Sequence, residues 1–430
     1  MTPEIKQRIE QIRRGEVPEG YKKTKAGIVP SVWDVTKLSS ISSHVTKKNA
    51  DGKVKTTFTN SATQGVIKQT DYFDKEISNK ENITGYYVVQ ENDYIYNPRI
   101  SVSAPCGPIN KSHFKEPGVV SPLYTVFKMN DGLQKNRYIE FYLKSSFWHR
   151  YMCGVANYGA RHDRMNITNE DLFAMPIPFP TLAEQEKIAE ILSTQDKLIE
   201  LKEKLVEEKK KQKKALMQQL LTGKKRLPGF SDEWHTIVLS QISKKAMEKN
   251  TGFKFDIVFS NSAQNGIVPQ VEQFDKDIAN DDNIDRYYIV TEGCFVYNPR
   301  ISVTAPCGPI NVNHNKTPGV MSPLYTIFYI NSPNVDNDYL EQYFKSTIWF
   351  KYMKSVANYG ARHDRMSVTD NDFFNMPIKI SDLKEQTTIK NILICADQEI
   401  EQLKRELYQE KQKKKALMQL LLTGIVRVNI

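Results

Sequence analysis

The sequence predicts an α+β fold that is built twice, with two repeated globular α/β domains separated by two long helices that pair as an antiparallel coiled coil. Three observations support this fold. The chain of 430 residues repeats itself at a fixed offset, each repeat changes from short strands to an uninterrupted helical segment, and both helical segments carry apolar seams. Because the two halves are copies, we expect an approximate two-fold axis to relate them.

The internal repeat joins segments that lie 201 residues apart, as Trp33 and Trp234 do. VANYGARHDRM at 155–165 recurs unchanged at 356–366, and YNPRISVSAPCGPIN at 96–110 recurs at 297–311 with only Ser103 changed, to Thr304. A period this long matches a whole domain plus a connector. The predicted segments are an N-terminal helix and arm at 1–29, a first domain at 30–180, a central helix at 181–223, a second domain at 224–381 and a C-terminal helix at 382–430.

Each part of one repeat has its own local pattern. Thr2 and Pro3 are typical of a helix cap and first turn, and isoleucines follow on one face until Gly15. From 30 to 180, short β-rich runs such as YYVVQENDYIYN alternate with Gly, Pro, Asn and Asp. This alternation predicts a globular α+β domain with a helix near 138–152.

The two long helices follow the globular domains. Thr181 and Glu184 form a capping-box pattern, and no Gly or Pro then appears until Gly223. Such a helix is roughly 60 Å long and needs a partner surface. Its pairing or partner-docking positions are expected to be Ile188, Ile191, Leu198 and Leu205 in the first helix, and Ile389, Ile392, Ile400, Leu403 and Leu407 in the second. The alternative is that each helix packs only on its own globular domain.

Charge and cysteine content narrow the class of protein. Sixty Lys and Arg against 50 Asp and Glu give a formal charge of +10, which favours a polyanionic partner, although the basic block at 202–226 can also be read as a solvated helix face. The five cysteines are odd in number and form no CxxC pair, which argues against a disulfide framework or a zinc ribbon and favours the cytoplasm. No apolar segment approaches the roughly 20 residues that a membrane span requires.

Several motifs carry a resemblance to a known family. The connector LAEQEKIAEIL with KKALMQQLLTGKKRLPGF, the C-terminal KALMQLLLTG, the opening GYKKTKAGIVPSVWDV and the junction FAMPIPFPTLAEQ resemble the specificity subunit of type I restriction-modification enzymes. The resemblance implies two target recognition domains that each read one half of a bipartite site in double-stranded DNA. It also implies that the helices dock two modification subunits, which methylate adenine N6 from S-adenosylmethionine, and that restriction subunits using ATP and Mg can join.

The sequence itself carries no motif for that methyl transfer. A methyltransferase of this class has an N/D-P-P-aromatic motif, whereas this chain offers only Asn97-Pro98-Arg99 and its copy at 298–300. It has neither a G-x-x-x-x-G-K-[ST] loop nor a G-x-G-x-x-G loop. We therefore expect a non-catalytic chain with no cofactor or metal of its own.

The repeated basic peptide is the main candidate for contact with DNA. Arg can donate two hydrogen bonds to guanine and Asn can pair with adenine. The alternative is an internal ion pair of Asp163 with a neighbouring arginine that orients the loop. The candidates are Asn157, Tyr158, Arg161, His162 and Arg164 in the first copy, and Asn358, Tyr359, Arg362, His363 and Arg365 in the second.

Two other repeated stretches supply weaker candidates. Asn-Pro marks a turn after an apolar strand, so the arginine that follows is either a DNA contact or part of a structural turn. Asn and Ser likewise serve turns as often as they contact bases. Cys106 and Cys307 are expected to be small buried hydrophobes. The candidates are Arg99, Arg300, Asn60, Ser61, Asn261 and Ser262.

Near identity of the two copies predicts that the two half-sites are inverted copies of each other, which gives an interrupted palindrome. The copies diverge at 44–57 against 245–258, so half-sites read by those segments would differ. Two other functions stay open on the residues alone: a stand-alone DNA-binding protein with two basic modules on a coiled-coil ruler, and a purely structural scaffold.

Overall fold

The computed structural model describes residues 2–72, 83–157, 163–273, 281–358 and 364–429. The chain forms two compact units. Unit 1 comprises 1–201 together with 407–430, and unit 2 is the continuous segment 202–406. None of the helices in the described ranges is both long enough and apolar enough to span a membrane.

Unit 1 begins with a short helix and a hairpin, followed by a globular body of short strands and helices. In chain order its elements are α1 Pro3–Arg13, β1 Tyr21–Thr24, β2 Gly27–Pro30, β3 Asp34–Lys37, α2 Leu38–Ile41, β4 Ser42–His44, β5 Phe58–Ser61, β6 Gly65–Lys68, α3 Gln69–Tyr72, a 3₁₀ turn Ile83–Gly85, β7 Tyr87–Val89, β8 Tyr94–Tyr96, β9 Ile109–Lys111, β10 Gly118–Val120, β11 Thr125–Met129, α4 Arg137–Lys144, α5 His149–Val155, α6 Asn169–Phe173, β12 Pro176–Phe179 and the long helix α7 Leu182–Leu220.

The central sheet of unit 1 has four antiparallel strands in the order β4-β11-β8-β9. The described residues of unit 1 also form four two-stranded ladders, β1-β2, β3-β12, β5-β6 and β7-β10. Helix α4 packs beside β9, and its N-terminus is capped by the side chain of Asn136, which accepts hydrogen bonds from the backbone N–H groups of Tyr138 and Ile139. The predicted α+β domain is therefore present, and its predicted helix near 138–152 is divided into α4 and α5.

Unit 2 repeats this plan. Its elements are β13 His235–Val238, α8 Leu239–Ile242, β14 Ser243–Lys245, β15 Phe259–Ser262, β16 Gly266–Pro269, α9 Gln270–Gln273, a 3₁₀ turn Asp281–Arg286, β17 Tyr288–Val290, β18 Phe295–Tyr297, β19 Ile310–Val312, β20 Gly319–Met321, β21 Thr326–Ile330, α10 Asn337–Lys345, α11 Phe350–Val356, α12 Asp370–Phe374, β22 Pro377–Ile380 and the long helix α13 Leu383–Leu422. Its central sheet, β14-β21-β18-β19, has the same order as that of unit 1.

Both long helices contribute to each unit, and in each unit they run antiparallel. In unit 1 the N-terminal half of α7 meets the C-terminal half of α13, where Asp196 pairs with Lys414 and Gln195 donates to Glu410 at 2.7 Å. In unit 2 the equivalent contact joins Lys213 to Asp397 at 2.5 Å. The predicted antiparallel pairing is confirmed within each unit.

The residues that form the seam between the two long helices follow a heptad spacing. They differ in part from the pairing positions predicted from the sequence. Ile188, Ile389 and Ile400 are buried as expected, and Ile191, Ile392, Leu403 and Leu407 are half-buried. Leu198 and Leu205, however, are 36% and 38% exposed, whereas Val206 is buried. Between the apolar ends, polar pairs such as Lys202–Glu406 and Lys209–Glu399 occupy the seam. Leu198 and Leu205 therefore do not pair the helices.

A buried carboxylate at the start of each long helix fixes that helix to its unit. Glu184 accepts hydrogen bonds from Arg427 at 2.7 and 2.8 Å and from the indole of Trp33 at 2.9 Å. The second copy repeats the arrangement around Glu385. One half of the predicted capping box is present, because the Thr181 hydroxyl accepts from the backbone N–H of Glu184 at 3.4 Å. The other half is not, because the Glu184 side chain turns into the core.

Candidate nucleic-acid interface

The segment that leaves strand β8 is shaped so that Arg99 projects from the surface. The side chain of Asn97 accepts a hydrogen bond from the backbone N–H of Arg99 at 3.0 Å and donates to the carbonyl of Asn60 at 3.0 Å. Asn97 is buried and Arg99 is exposed. The predicted Asn-Pro turn is thus present, and it holds the guanidinium in solvent.

The structure brings this turn against the repeated basic peptide. Arg99 and Arg164 face each other in an antiparallel β-bridge. The backbone N–H of Ile100 donates to Asp163 at 3.1 Å, and that of Met165 donates to Pro98 at 2.9 Å. Two stretches that were predicted separately therefore form one surface. Unit 2 has the same bridge between Arg300 and Arg365.

The arginines of this surface are incompletely neutralised. Among the described residues, Arg164 pairs with the exposed carboxylate of Asp163 at 3.4 Å and Arg365 with that of Asp364 at 3.7 Å. The Nε–H of Arg365 is shielded from solvent and donates to none of the described residues. Arg99 makes no ion pair with the described residues. Such adjacent cationic donors can bind a phosphate or the acceptor edge of a base.

The remaining candidates of the basic peptide divide into two groups. Asn157 and Asn358 are exposed, and their backbones bridge to Asn166 and Ser367. Six candidates lie outside the part of the chain that the structure describes: Tyr158, Arg161, His162, Tyr359, Arg362 and His363.

The placement of Asn60 and Asn261 corrects the expectation that they contact bases. Asn60 is 2% exposed, its amide donates to the carbonyls of Ile95 and Pro108, and its oxygen accepts from Asn110 at 2.7 Å. Asn261 makes the equivalent bonds. An amide with these internal partners has no free edge for a base.

The two serines that follow also serve the fold. The hydroxyl of Ser61 accepts hydrogen bonds from the backbone of Thr63 and Gln64, both at 3.3 Å. Ser262 caps the same turn in unit 2. The turn interpretation therefore explains these serines, and we leave them out of the DNA-contacting set.

Buried groups and a close backbone contact lie behind the surface. Burial raises the pKa of the Cys106 thiol to about 12, with a smaller contribution from Cys153, whose sulfur lies 3.3 Å away. Cys106 and Cys307 are buried, as predicted. Gly107, at φ +75°, allows the backbone to pass the carbonyl of Asn97, because a Cβ there would lie 2.0 Å from that oxygen. Among the described residues no cluster of three or more His, Cys, Asp or Glu could hold a metal ion.

Sequence reasoning missed the short hairpin between Arg99 and Cys106. Its tip carries a valine that is fully exposed in both copies, Val102 and Val303. The valine in this repeated segment was the one sequence signal for the hairpin tip. In a β-rich segment, however, the sequence does not show which side chains are exposed to solvent.

Comparison with known proteins finds a family match over part of the chain. A family model described as type I restriction modification DNA specificity domain matches residues 30–211. Over these residues the chain is similar to this specificity family. The putative type I restriction enzyme MjaX specificity subunit of Methanocaldococcus jannaschii is 25% identical over 450 residues, which cover 95% of this chain and 97% of that protein.

Two further proteins are similar to this chain. The type I restriction enzyme MjaVIII specificity subunit of the same organism is 26% identical over 274 residues, covering 59% of this chain and 62% of that protein. A chain from a solved structure on assembly and conformational transition of the type I R-M system superposes with a TM-score of 0.59 at 15% identity, covering 93% of this chain and 99% of that chain. That superposition supports the predicted fold class.

Proposed function

We propose that this specificity subunit reads a bipartite site in double-stranded DNA, with one recognition domain at 30–180 and the other at 224–381. The observation that carries the proposal is the arginine bridge, which occurs at equivalent positions in both units. A protein with one reading surface would not need the second bridge. The chain supplies the DNA sequence specificity, and we infer that it has no catalytic role of its own.

The arginine bridge supports a defined division of contacts. Arg99 and Arg164 are placed to hold the phosphate backbone and to reach guanine edges, while the exposed amide of Asn157 suits adenine. We include Tyr158, Arg161 and His162 in the same surface because they lie between Asn157 and Arg164 in the chain. Their copies in unit 2 would read the second half-site.

Identical reading residues support an interrupted palindrome. The bridge arginines and the exposed asparagine are the same residue types in both units. Two equal surfaces presented to antiparallel strands recognise inverted copies of one half-site. The net charge of +10 supports binding of a polyanion, and we place the complex in the cytoplasm with the DNA that it reads.

The outer face of α7 supports docking of two modification subunits. Leu198, Leu201 and Leu205 lie on one helix face by their spacing of three and four, and each is at least 36% exposed. Tyr408 on α13 is 64% exposed. Apolar side chains in such a row are typical of a partner surface. The partner would supply S-adenosylmethionine chemistry, and a restriction subunit, where present, would use ATP and Mg.

Methylation mapping tests the reading function. We would co-express the chain with the adjacent modification subunit in a host free of DNA methylation and map N6-methyladenine across the genome. An interrupted palindrome modified on both strands is expected. Arg99→Ala with Arg300→Ala should reduce methylation at every site, and Arg14→Ala, in an exposed pair with Glu10, should not. A motif with unrelated halves contradicts the palindrome, and absence of new methylation despite a stable complex contradicts the function.

Native mass spectrometry tests the docking surface. Leu201→Glu places a charge in the middle of the exposed row and is expected to weaken binding of the modification subunit at least tenfold. Leu182→Glu is the matched control, because Leu182 is also exposed, at 61%, but lies at the start of α7. An unchanged two-to-one complex with Leu201→Glu would contradict docking on this face, and tight DNA binding by the chain alone would favour the stand-alone binder.

A further inference from the structure

The hairpin that follows Arg99 ends in an apolar side chain that no described residue covers. Val102 is 106% exposed and its copy Val303 is 101% exposed, relative to the reference state for valine. Burial of a valine side chain normally stabilises the folded state. Neither valine makes that contribution within its own unit, so its retention in both copies needs another explanation.

The exposure is not a consequence of a loose loop. Ser101 and Ala104 exchange two backbone hydrogen bonds at 3.0 and 3.1 Å, so that Val102 and Ser103 form a two-residue turn. The hydroxyl of Ser101 accepts from the backbone N–H of Ala104 at 3.2 Å and lies 3.2 Å from that of Ser103. Unit 2 repeats each of these bonds around Val303.

The base of the hairpin is anchored in the core. Ala104 is 6% exposed and Cys106 is fully buried. Gly107 packs so closely against the carbonyl of Asn97 that a Cβ would lie 2.0 Å from the oxygen. The hairpin therefore cannot fold the valine inward without losing these contacts. Polar residues and glycine are the usual choice at such a tip, and valine is not.

The valine lies beside the arginine bridge. Val102 is three residues from Arg99, which at about 3.3 Å per residue places it within roughly 10 Å along the chain. A duplex held by Arg99 and Arg164 therefore lies within reach of the hairpin tip. The tip is a two-residue turn closed by the single bridge between Ser101 and Ala104. The major groove of B-DNA, about 12 Å wide, is wide enough to admit an element of this size.

We propose that Val102 and Val303 are specificity-determining residues, each contacting the C5-methyl group of a thymine in the major groove. This inference rests on the proposed reading function. The methyl group is the one apolar feature on a base edge in that groove, and it distinguishes thymine from cytosine. Valine is too short to act as a wedge between base pairs, a role that longer side chains perform. The flanking arginines supply attraction to the backbone, and the valine adds discrimination.

Thymine-to-uracil replacement tests the proposal, because it removes only the methyl group. Binding of the assembled chain and modification subunits would be measured on duplexes that carry deoxyuridine at one thymine of the recognised site at a time, on either strand. One position in each half-site is expected to lose about fourfold in affinity, equivalent to about 0.8 kcal/mol for one buried methyl group.

A double-mutant cycle assigns that loss to the hairpin. In Val102→Ala with Val303→Ala the uracil penalty should disappear, whereas it should persist in Val32→Ala, whose valine is 67% exposed outside the hairpin. Equal penalties in native and hairpin variants, or no sensitive position, would overturn the assignment while sequence-selective binding remains. If the native complex binds DNA without sequence selectivity, that result overturns the reading function and this inference with it.

Discussion

Glu184 provides a direct test of how α7 is fixed to unit 1. Its carboxylate is fully buried and accepts three hydrogen bonds, two from Arg427 and one from the Trp33 indole, at 2.7 to 2.9 Å. Glu184→Gln keeps the side-chain volume. It removes the charge and replaces one acceptor oxygen with an amide that faces existing donors.

The size of the effect follows from these partners. A hydrogen bond to a charged group contributes about 1.5 to 3 kcal/mol, and a buried donor left without an acceptor costs about 1 to 3 kcal/mol. Arg427 is 40% exposed, so solvent recovers part of its loss, whereas Trp33 is 1% exposed and recovers none. We therefore expect Glu184→Gln to destabilise unit 1 by about 2 to 3 kcal/mol.

Hydrogen exchange followed by mass spectrometry measures this loss locally. Peptides that cover β3 and β12 should exchange roughly 30- to 160-fold faster, while β13 and β22 of unit 2 serve as the internal reference. Glu190→Gln is the matched control, because Glu190 and its partner Lys187 are 64% and 47% exposed and their pair should contribute under about 0.5 kcal/mol. Equal hydrogen-exchange rates of these peptides in the two variants would show that the buried contacts of Glu184 do not stabilise unit 1.

Two further predictions concern acid stability and the helix seam. Burial raises the pKa of Glu140, but the hydrogen bond with His113 and the charge of Lys144 outweigh burial and lower it to about 2. The ionised carboxylate therefore contributes about 3 kcal/mol to the free energy of unfolding at pH values above its ordinary pKa of 4.5. This contribution is lost as the pH falls toward 2. Glu140→Gln should therefore flatten the acid-denaturation curve between these two pH values. Ile188→Ala should cost about 2 to 5 kcal/mol in urea denaturation because Ile188 is fully buried, and Leu198→Ala under about 1 kcal/mol. Equal costs would contradict the corrected seam.

The sequence predicted correctly those features that depend on a local pattern of residues with a single structural interpretation. The repeat, the uninterrupted helical segments and the Asn-Pro turn each depend on residues close in the chain, and each is present. The pairing of Arg99 with Arg164 could not be predicted in the same way, because it joins segments 65 residues apart through backbone hydrogen bonds.

The helix seam shows why apolar pattern alone gives an incomplete answer. Leu198 and Leu205 have the spacing of a seam, but the true seam runs one position away and includes Lys202, Lys209 and Lys213. These lysines pair with acidic residues on the other helix, so they can occupy positions that apolar patterning would exclude. A single sequence does not reveal which acid each lysine meets.

The Asn60 side chain shows the same limit at the site. A polar residue in a repeated loop has one appearance in the sequence whether it faces solvent or the core. Asn60 faces the core, where its amide donates to the carbonyls of Ile95, in β8, and of Pro108, just before β9. Only the assembled fold shows where those carbonyls are.

The arrangement of the two units in the chain has a consequence for synthesis on the ribosome. Unit 2 is a continuous segment, so all of its residues are available once residue 406 has emerged. Unit 1 begins before unit 2 but lacks Leu421, Leu422 and Arg427 until residue 427 has emerged. The two leucines fill its core and Arg427 neutralises Glu184. The domain that is translated first is therefore the one completed last, and a nascent chain must carry an unfinished core throughout translation of its second half.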